Sequence, residues 1–424
     1  MKDIKEKDIV GVWMNMKNHL RTVDGIFDYN SSNNNCFNVL VMKKSFIVRN
    51  IKNNKIKYYK QQGEIPRDEK ILFKINYFQD NPKIEKAIFK SNLEQNEKEI
   101  NSINEYIWYV INSVESNGIN KNEDYYLSEN DILKFGKVKY IVKEIHIENK
   151  TNNINNNINM YNNAKIFETN YICEEYKKCE FCDDLMVRLC KCEDYEHIKC
   201  IKDWINDRFI ERESDNKLVK SYYFSIFQCK EYIKRNCNEE NCENENCCKK
   251  CNTYYPLYFT LAQKKNTSKE EKKEQKEEKK YIEFYEIKKP EKCDYLILES
   301  LPHIDKTSNS PKIEKDIHII KLTGKDINIG SGQNNDVVIH DKSVCKMHSV
   351  IKHDKYNGKL LIKNKSKRAG TLVLIKNKIV DLSEKEKYFQ VDKTFFSARL
   401  IKKEEIKNLI KDLKEDEDVK IIEL

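Results

Sequence analysis

"INIGSGQNNDVVIHDKSVCKMHSVIKHDKYNGKLLIKNKSKRAGTLVLI", residues 327–375, alternates apolar and polar positions over much of its length. A period of two marks a half-buried strand, because successive side chains point to opposite faces of a sheet. The stretch therefore reads as short β-strands joined by turns. "GSG", Gly330 to Gly332, is one of those turns: a lone G-x-G is a weak nucleotide signal, and no phosphate loop ending in Lys-Ser or Lys-Thr is present.

The same alternation extends outward, upstream in "YIEFYEI", "DYLILES" and "IHIIKL" and downstream to about Leu400, so residues 281–402 read as one β domain. Beyond it, Ile401, Ile406, Leu409, Ile410 and Leu413 recur at helical spacing, which predicts a short amphipathic helix in the tail, residues 403–424. Upstream, "KKNTSKEEKKEQKEEKK" (264–280) has mixed charge and no apolar face, so residues 263–280 read as a solvated linker. The Asn-rich "TNNINNNINMYNNA" (151–164) marks a second linker, 149–165. Residues 1–148 alternate in "FNVLVMKKSFIVRNI", "KILFKINYF" and "YIWYVINSV" and read as an N-terminal β-rich domain. No repeat of solenoid type is visible.

The 424 residues carry 78 basic and 69 acidic side chains, a net charge of +9 spread along the chain. Interspersed charge of that kind describes a solvated surface and argues against a nucleic-acid stripe. No apolar run approaches the roughly 20 residues of a membrane span, and "MKDIKEKDIVGVW" lacks the apolar run of a signal peptide. The expectation is a cytoplasmic or nuclear protein without a membrane partner. In a reducing compartment, fifteen cysteines, most of them between Cys173 and Cys251, point to metal rather than to disulfides. A redox dithiol at Cys179 and Cys182 lacks the strand-to-helix context, and His19 and His146 have no partners at metal spacing.

Zinc favours tetrahedral thiolate and imidazole ligands, and C-x2-C places two sulfurs on one tight turn. Cys179 and Cys182 form such a pair, as do Cys248 and Cys251; between them lie Cys190 and Cys192, then His197 and Cys200. The order C-x2-C, C-x-C, H-x2-C, C-x2-C within residues 166–262 resembles the RING-CH zinc finger of ubiquitin ligases. The resemblance implies two zinc ions, one on Cys179, Cys182, His197 and Cys200 and the other on Cys190, Cys192, Cys248 and Cys251. It further implies that Phe181 and Trp204 contact a ubiquitin-conjugating enzyme. The loops before Cys190 and His197 are shorter than in the family, and Cys229 and Cys247 are substitutes for the last ligands.

Residues 327–375 in turn resemble a forkhead-associated (FHA) domain, with Gly330, Asn335, Asp336, Ile339, Ser343, His348, Ser366, Gly370 and Thr371 at the family's spacing. The family is a β-sandwich whose loops at one end bind phosphothreonine peptides, which implies a site at Ser331, Cys345, Lys346, Arg368 and Thr371. Three contacting residues differ: Ser331 stands for the family's arginine, Cys345 for its serine, and Ala369 for its asparagine. A hydrogen bond to a charged group contributes about 1.5 to 3 kcal/mol, so losing the Arg fork and a second donor removes about 3 kcal/mol or more, roughly a hundredfold in affinity. Lys346 and Arg368 lie in the same loops and offer replacement charge for an altered phosphate site; the alternative is a sandwich that serves protein interaction or structure alone. "YYLSENDILKFGKVKYIVKEIHI" (125–147) has the rhythm of an opening FHA strand pair, with Gly136 and Lys137 where the family has Gly-Arg.

The expected fold is mainly β, with a small zinc-stabilised α/β module, an FHA-like sandwich, an N-terminal β-rich domain and a short C-terminal helix. The order of modules resembles proteins of unicellular eukaryotes that join a RING-CH finger to an FHA domain. Two functions follow from the resemblance: a zinc-dependent ubiquitin ligase that selects a protein or phosphoprotein client through the FHA domain, or a non-enzymatic zinc-binding adaptor.

Overall fold

The structure is a computed structural model that describes residues 9–19, 34–41, 45–50, 52, 55–66, 69–78, 81–85, 107–111, 125–148, 172–173, 176–182, 184–188, 195–206, 209–212, 218–227, 258–262, 279–283, 287–301, 303–304, 312–366, 370–375, 379–382, 385–391, 394–402, 405 and 419–422. It is mainly β and packs as two units, Met1–Tyr140 with Gly324–Leu424, and Ile141–Thr323.

Strands form where β-branched and aromatic residues alternate with polar ones. In the N-terminal part these are β1 (Ile9–His19), β2 (Asn34–Val41), β3 (Ser45–Asn50), β4 (Ile56–Tyr59), β5 (Glu69–Phe78), β6 (Asn81–Glu85), β7 (Ile107–Ile111), β8 (Tyr125–Tyr126), β9 (Ile132–Phe135) and β10 (Val138–His146). The middle of the chain holds β11 (Ile172–Cys173), β12 (Tyr176–Lys178), β13 (Leu185–Val187), β14 (Glu196–His197), helix α1 (Ile198–Asn206), β15 (Ile210–Arg212), β16 (Val219–Phe227), β17 (Tyr258–Ala262), β18 (Lys279–Glu283), β19 (Tyr295–Ser300), β20 (His303–Ile304) and β21 (Lys312–Lys321). The C-terminal part adds β22 (Ile327–Gly330), β23 (Val337–Val338), β24 (Ser349–Asp354), β25 (Lys359–Asn364), β26 (Thr371–Leu374), β27 (Ile379–Asp381), β28 (Lys387–Val391), β29 (Thr394–Lys402) and β30 (Val419–Ile422).

In the first unit the two ends of the chain interleave. One sheet runs β9-β26-β7-β28-β29-β1-β2-β30, so β26 lies between two N-terminal strands and β29 pairs with β1. A second sheet runs β23-β22-β24-β25-β8, closed by Tyr125 and Tyr126 against Ile362 and Leu361. A third runs β27-β6-β5-β3-β4. Val12, Met14, Phe73, Ile75, Ile84, Phe389, Phe396 and Ala398 form one buried core, in which the Phe73 and Phe396 rings stack with centroids 4.5 Å apart. Fully burying an aliphatic or phenyl side chain of this kind stabilises by about 1.5 to 3 kcal/mol. The boundary read near residue 148 between separate N-terminal and C-terminal β domains is therefore not where the packing divides: the sheet hydrogen bonds between residues 9–135 and 361–402 are shared.

In the second unit the sheet order is β15-β16-β21-β19, with β10 beside β19. Here lie "DYLILES" and "IHIIKL", which the sequence reading placed with the FHA-like domain. Lys315 is fully buried and ion-paired to Glu299, to which Lys143 adds a second bond of 2.9 Å. Two small three-stranded sheets, β11-β17-β18 and β12-β13-β14, complete the unit, and α1 follows β14 with Ile201 and Ile205 buried.

The tail departs from its helical reading at two places. Ile401 is fully buried in β29, where alternation and pairing to β1 hold it, and Val419–Ile422 form a strand parallel to β2. Ile406, Leu409, Ile410 and Leu413 lie outside the described residues, as do the linker stretches 149–165 and 263–278. Among the described residues no helix is long and apolar enough to cross a membrane.

Candidate functional site

Three parts of the chain converge at one end of the β22–β26 sandwich: the turn after Gly330, the loop Asp341–Met347, and the residues Asn364–Ser366 with Gly370 and Thr371. Backbone bonds tie the first two together, Ser331 N–H to the Cys345 carbonyl and Gly332 N–H to the Lys346 carbonyl, each 3.0 Å. A Cβ on Gly330 would stand 2.3 Å from the Lys346 carbonyl oxygen, so the strand and loop approach as closely as they do because no side chain intervenes. Asn335 braces the same loop by donating from Nδ2 to the Gly332 and Lys346 carbonyls, both at 2.6 Å. Asp336 accepts from Asn328 N–H at 2.7 Å.

His348 holds the loop from below. It is fully buried, its Nε2 lies 2.9 Å from the Gly370 carbonyl oxygen, and its Nδ1 lies 3.2 Å from the Cys345 nitrogen. A carbonyl only accepts, so Nε2 carries the proton and Nδ1 accepts the Cys345 N–H. Burial pushes this imidazole below the usual histidine range, outweighing the opposing pull of the Gly370 bond, and so favours its neutral form. Beneath it, Thr371 Oγ1 donates to Asn364 Oδ1 at 3.0 Å and takes the Ser349 hydroxyl at 2.6 Å.

That glycine turn, the Asn-Asp brace and the neutral buried histidine sit inside a segment whose sequence matches a known family. Residues 327–387 match the FHA domain family. No curated protein and no solved structure matches the chain. No RING-CH family match is found for the Cys-rich segment.

The FHA ligand positions fare differently from one another. Ser331, standing for arginine, donates its hydroxyl to the Val344 carbonyl at 2.8 Å and is engaged inside the loop. The half-buried Cys345 thiol meets the Ser366 hydroxyl at 3.1 Å. Thr371 is fully buried within the bracing network. Lys346 and Met347 are exposed at the loop tip, with Lys342 and Lys365 exposed nearby in sequence. Arg368 and Ala369 lie outside the described residues.

Sequence reasoning missed one set of FHA supports. Phe135, Gly136 and Lys137, at the β9–β10 turn, reach the Asp341–His348 loop of the domain. The available signal was the Gly-Lys pair at the family's Gly-Arg position, but nothing local in sequence names its contact 206 residues away.

In the second unit, Cys179, Cys182 and His197 have ligand atoms all within 4.8 Å of one another. Local folding explains the convergence. β12 and β13 form a hairpin whose turn carries both cysteines, and β14 pairs His197 opposite Met186 of β13. Cys182 Sγ lies 3.3 Å from His197 Nε2, while the His197 imidazole and the Phe181 N–H hold the Cys179 thiol down at about 7. Phe181, inside the pair, is 96% exposed. Cys200 is exposed on the first turn of α1 and is not within the three-residue group. Trp204 lies on α1; Cys190, Cys192, Cys248, Cys251, Cys229 and Cys247 lie outside the described residues.

Proposed function

We propose that the chain is a protein-recognition factor whose FHA domain captures a phosphorylated client segment at its loop end. The observation that carries this reading is the braced loop Asp341–Met347, which raises Lys346 and Met347 to the surface on a glycine-packed, His348-supported base. A cation replaces the arginine fork here, so recognition rests on charge more than on bidentate geometry. The test is titration of the intact protein with a degenerate phosphothreonine peptide pool and its unphosphorylated counterpart; a preference for the phosphorylated pool supports the reading, and equal affinity ends it.

The finer reading is that the Cys-rich segment holds zinc and recruits a ubiquitin-conjugating enzyme for that client. It is supported by Cys179, Cys182 and His197, whose soft donors fit zinc: bonds of about 2.3 Å to sulfur and 2.0 Å to nitrogen put neighbouring ligand atoms about 3.5 Å apart, close to the 3.3 Å between Cys182 and His197. When bound, zinc would fix the hairpin turn and leave the exposed Phe181 as an apolar contact for a partner. Ligases of the RING type add no nucleophile and act by positioning a charged conjugating enzyme. Zinc stoichiometry by native mass spectrometry comes first; accelerated thioester discharge with the loaded protein then favours the ligase, and its absence at full zinc loading favours the adaptor.

A further inference from the structure

The β9–β10 turn belongs to a part of the chain far from residues 327–387 in sequence, yet it sits at the FHA recognition end. β9 pairs with β26 so that Phe135 lies opposite Thr371, which brings the residues after Phe135 to the end of the sandwich that carries Gly370 and Thr371. Gly136 has φ +59°, and a Cβ there would stand 2.5 Å from both the carbonyl oxygen and the hydroxyl of Ser343. Lys137 N–H donates to Ser343 Oγ at 2.8 Å, and Ser343 Oγ in turn donates to Asp341 Oδ1 at 2.5 Å. The Phe135 ring meets His348 edge to face at 5.5 Å. Ser343 and His348, which flank Cys345 and Lys346 in the chain, are thus both contacted by three consecutive N-terminal residues.

We infer that the phosphate subsite of this FHA domain is a composite, in which Lys137 of the β9–β10 turn joins Lys346 as the cation that meets the ligand's phosphate. The inference rests on the phosphopeptide reading above. Its chemical motive is the engaged Ser331 hydroxyl, which leaves the family's arginine position without a cation, whereas a phosphorylated residue carries about −1.5 to −2 charge at neutral pH. The Lys137 backbone is anchored on Ser343, three residues before Lys346 in the same loop, and the residue is half-buried, with a four-carbon stem that is flexible by nature. Two ammonium groups act as point charges, so the subsite recognises the phosphate by charge without requiring bidentate geometry.

The test uses the full chain with fluorescent degenerate phosphothreonine and phosphoserine peptide pools and their unphosphorylated counterparts. Lys137→Gln keeps the backbone N–H and hence the Ser343 bond; it is expected to weaken binding of the phosphorylated pools about tenfold, with Lys137→Arg retaining it and the thermal midpoint unchanged. If Lys137→Gln binds phosphorylated peptide as the parent does while Lys346→Gln loses it, the composite subsite is overturned and the phosphopeptide reading stands. If the parent protein does not distinguish phosphorylated from plain peptide, both are overturned. Should Lys137→Gln fail to fold, Lys137→Arg and Lys137→Met decide between charge and packing: loss of phosphopeptide binding in the folded methionine variant alone supports the inference, and equal binding overturns it.

Discussion

Ser331 Oγ donates to the Val344 carbonyl oxygen at 2.8 Å, across the gap between the β22 turn and the loop that follows β23. The residue that stands where an FHA domain carries its phosphate-binding arginine therefore serves as an internal clasp. Replacing it should separate the two roles. Ser331→Arg is expected to lose about 1 kcal/mol of stability with the clasp and to gain tenfold or more in phosphopeptide affinity, read by chemical denaturation and peptide titration.

His348 predicts a pH dependence. Its folded-state proton affinity is lowered by burial, so in the unfolded chain it binds a proton at higher pH, near 6.5. The unfolded state then binds more protons as pH falls below about 6.5, and the stabilisation contributed by the neutral imidazole is lost progressively below that value. Protonation would also remove the acceptor that holds the Cys345 N–H. Urea denaturation at pH 7.5 and 5.5 should show lower stability at the acid value, and His348→Asn should flatten that slope.

Gly136 is a site where only glycine fits. Its left-handed φ alone disfavours an L side chain by about 1 to 2 kcal/mol, and the 2.5 Å approach to Ser343 adds a steric clash. Gly136→Ala should lower stability by roughly 2 kcal/mol or more and weaken peptide binding, whereas Gly63→Ala, with open space around it, should be close to neutral by the same denaturation assay.

The interleaved sheet predicts how the protein tolerates cutting. A fragment of residues 315–402 lacks β7, β9 and β1, the hydrogen-bonded neighbours of β26, β28 and β29. It should show lost amide dispersion in heteronuclear NMR spectra and resist refolding, although it contains the entire matched FHA segment.

The hairpin cysteines and Phe181 should separate metal from partner binding. Cys182→Ser should lower zinc content in native mass spectra. Phe181→Ala should leave zinc content and the melt within about 0.5 kcal/mol of the parent, as for an exposed site, and should reduce capture of a conjugating enzyme.

The FHA elements were legible because their signals are local. Gly330, Asn335, Asp336 and His348 sit at turns and strand starts fixed by neighbours within about twenty residues, and the alternation of "SVIKHD" and "KLLIKN" sets which face is buried. The hairpin around Gly136 was legible for the same reason. What it touches was not, since strand pairing across hundreds of residues leaves no periodic mark on either partner. The same limit hid the insertion of β7 between β26 and β28. In the tail, Ile401 fits both a helical stripe with Ile406 and the strand alternation of "TFFSARLIK"; pairing with β1 decided it. Among the described residues read as ligands, Cys179, Cys182 and His197 meet because one hairpin turn carries both cysteines and an adjacent strand carries the histidine.

Recognition of phosphate on a protein by the FHA loop end, as proposed above, has a direct readout. Fluorescence-anisotropy titration of the intact chain with a degenerate phosphothreonine peptide pool, beside the unphosphorylated pool and at two salt concentrations, tests it most directly. Binding of the phosphorylated pool should be at least tenfold tighter and should weaken as salt screens the lysines; equal affinity for the two pools at low salt would rule phosphate recognition out.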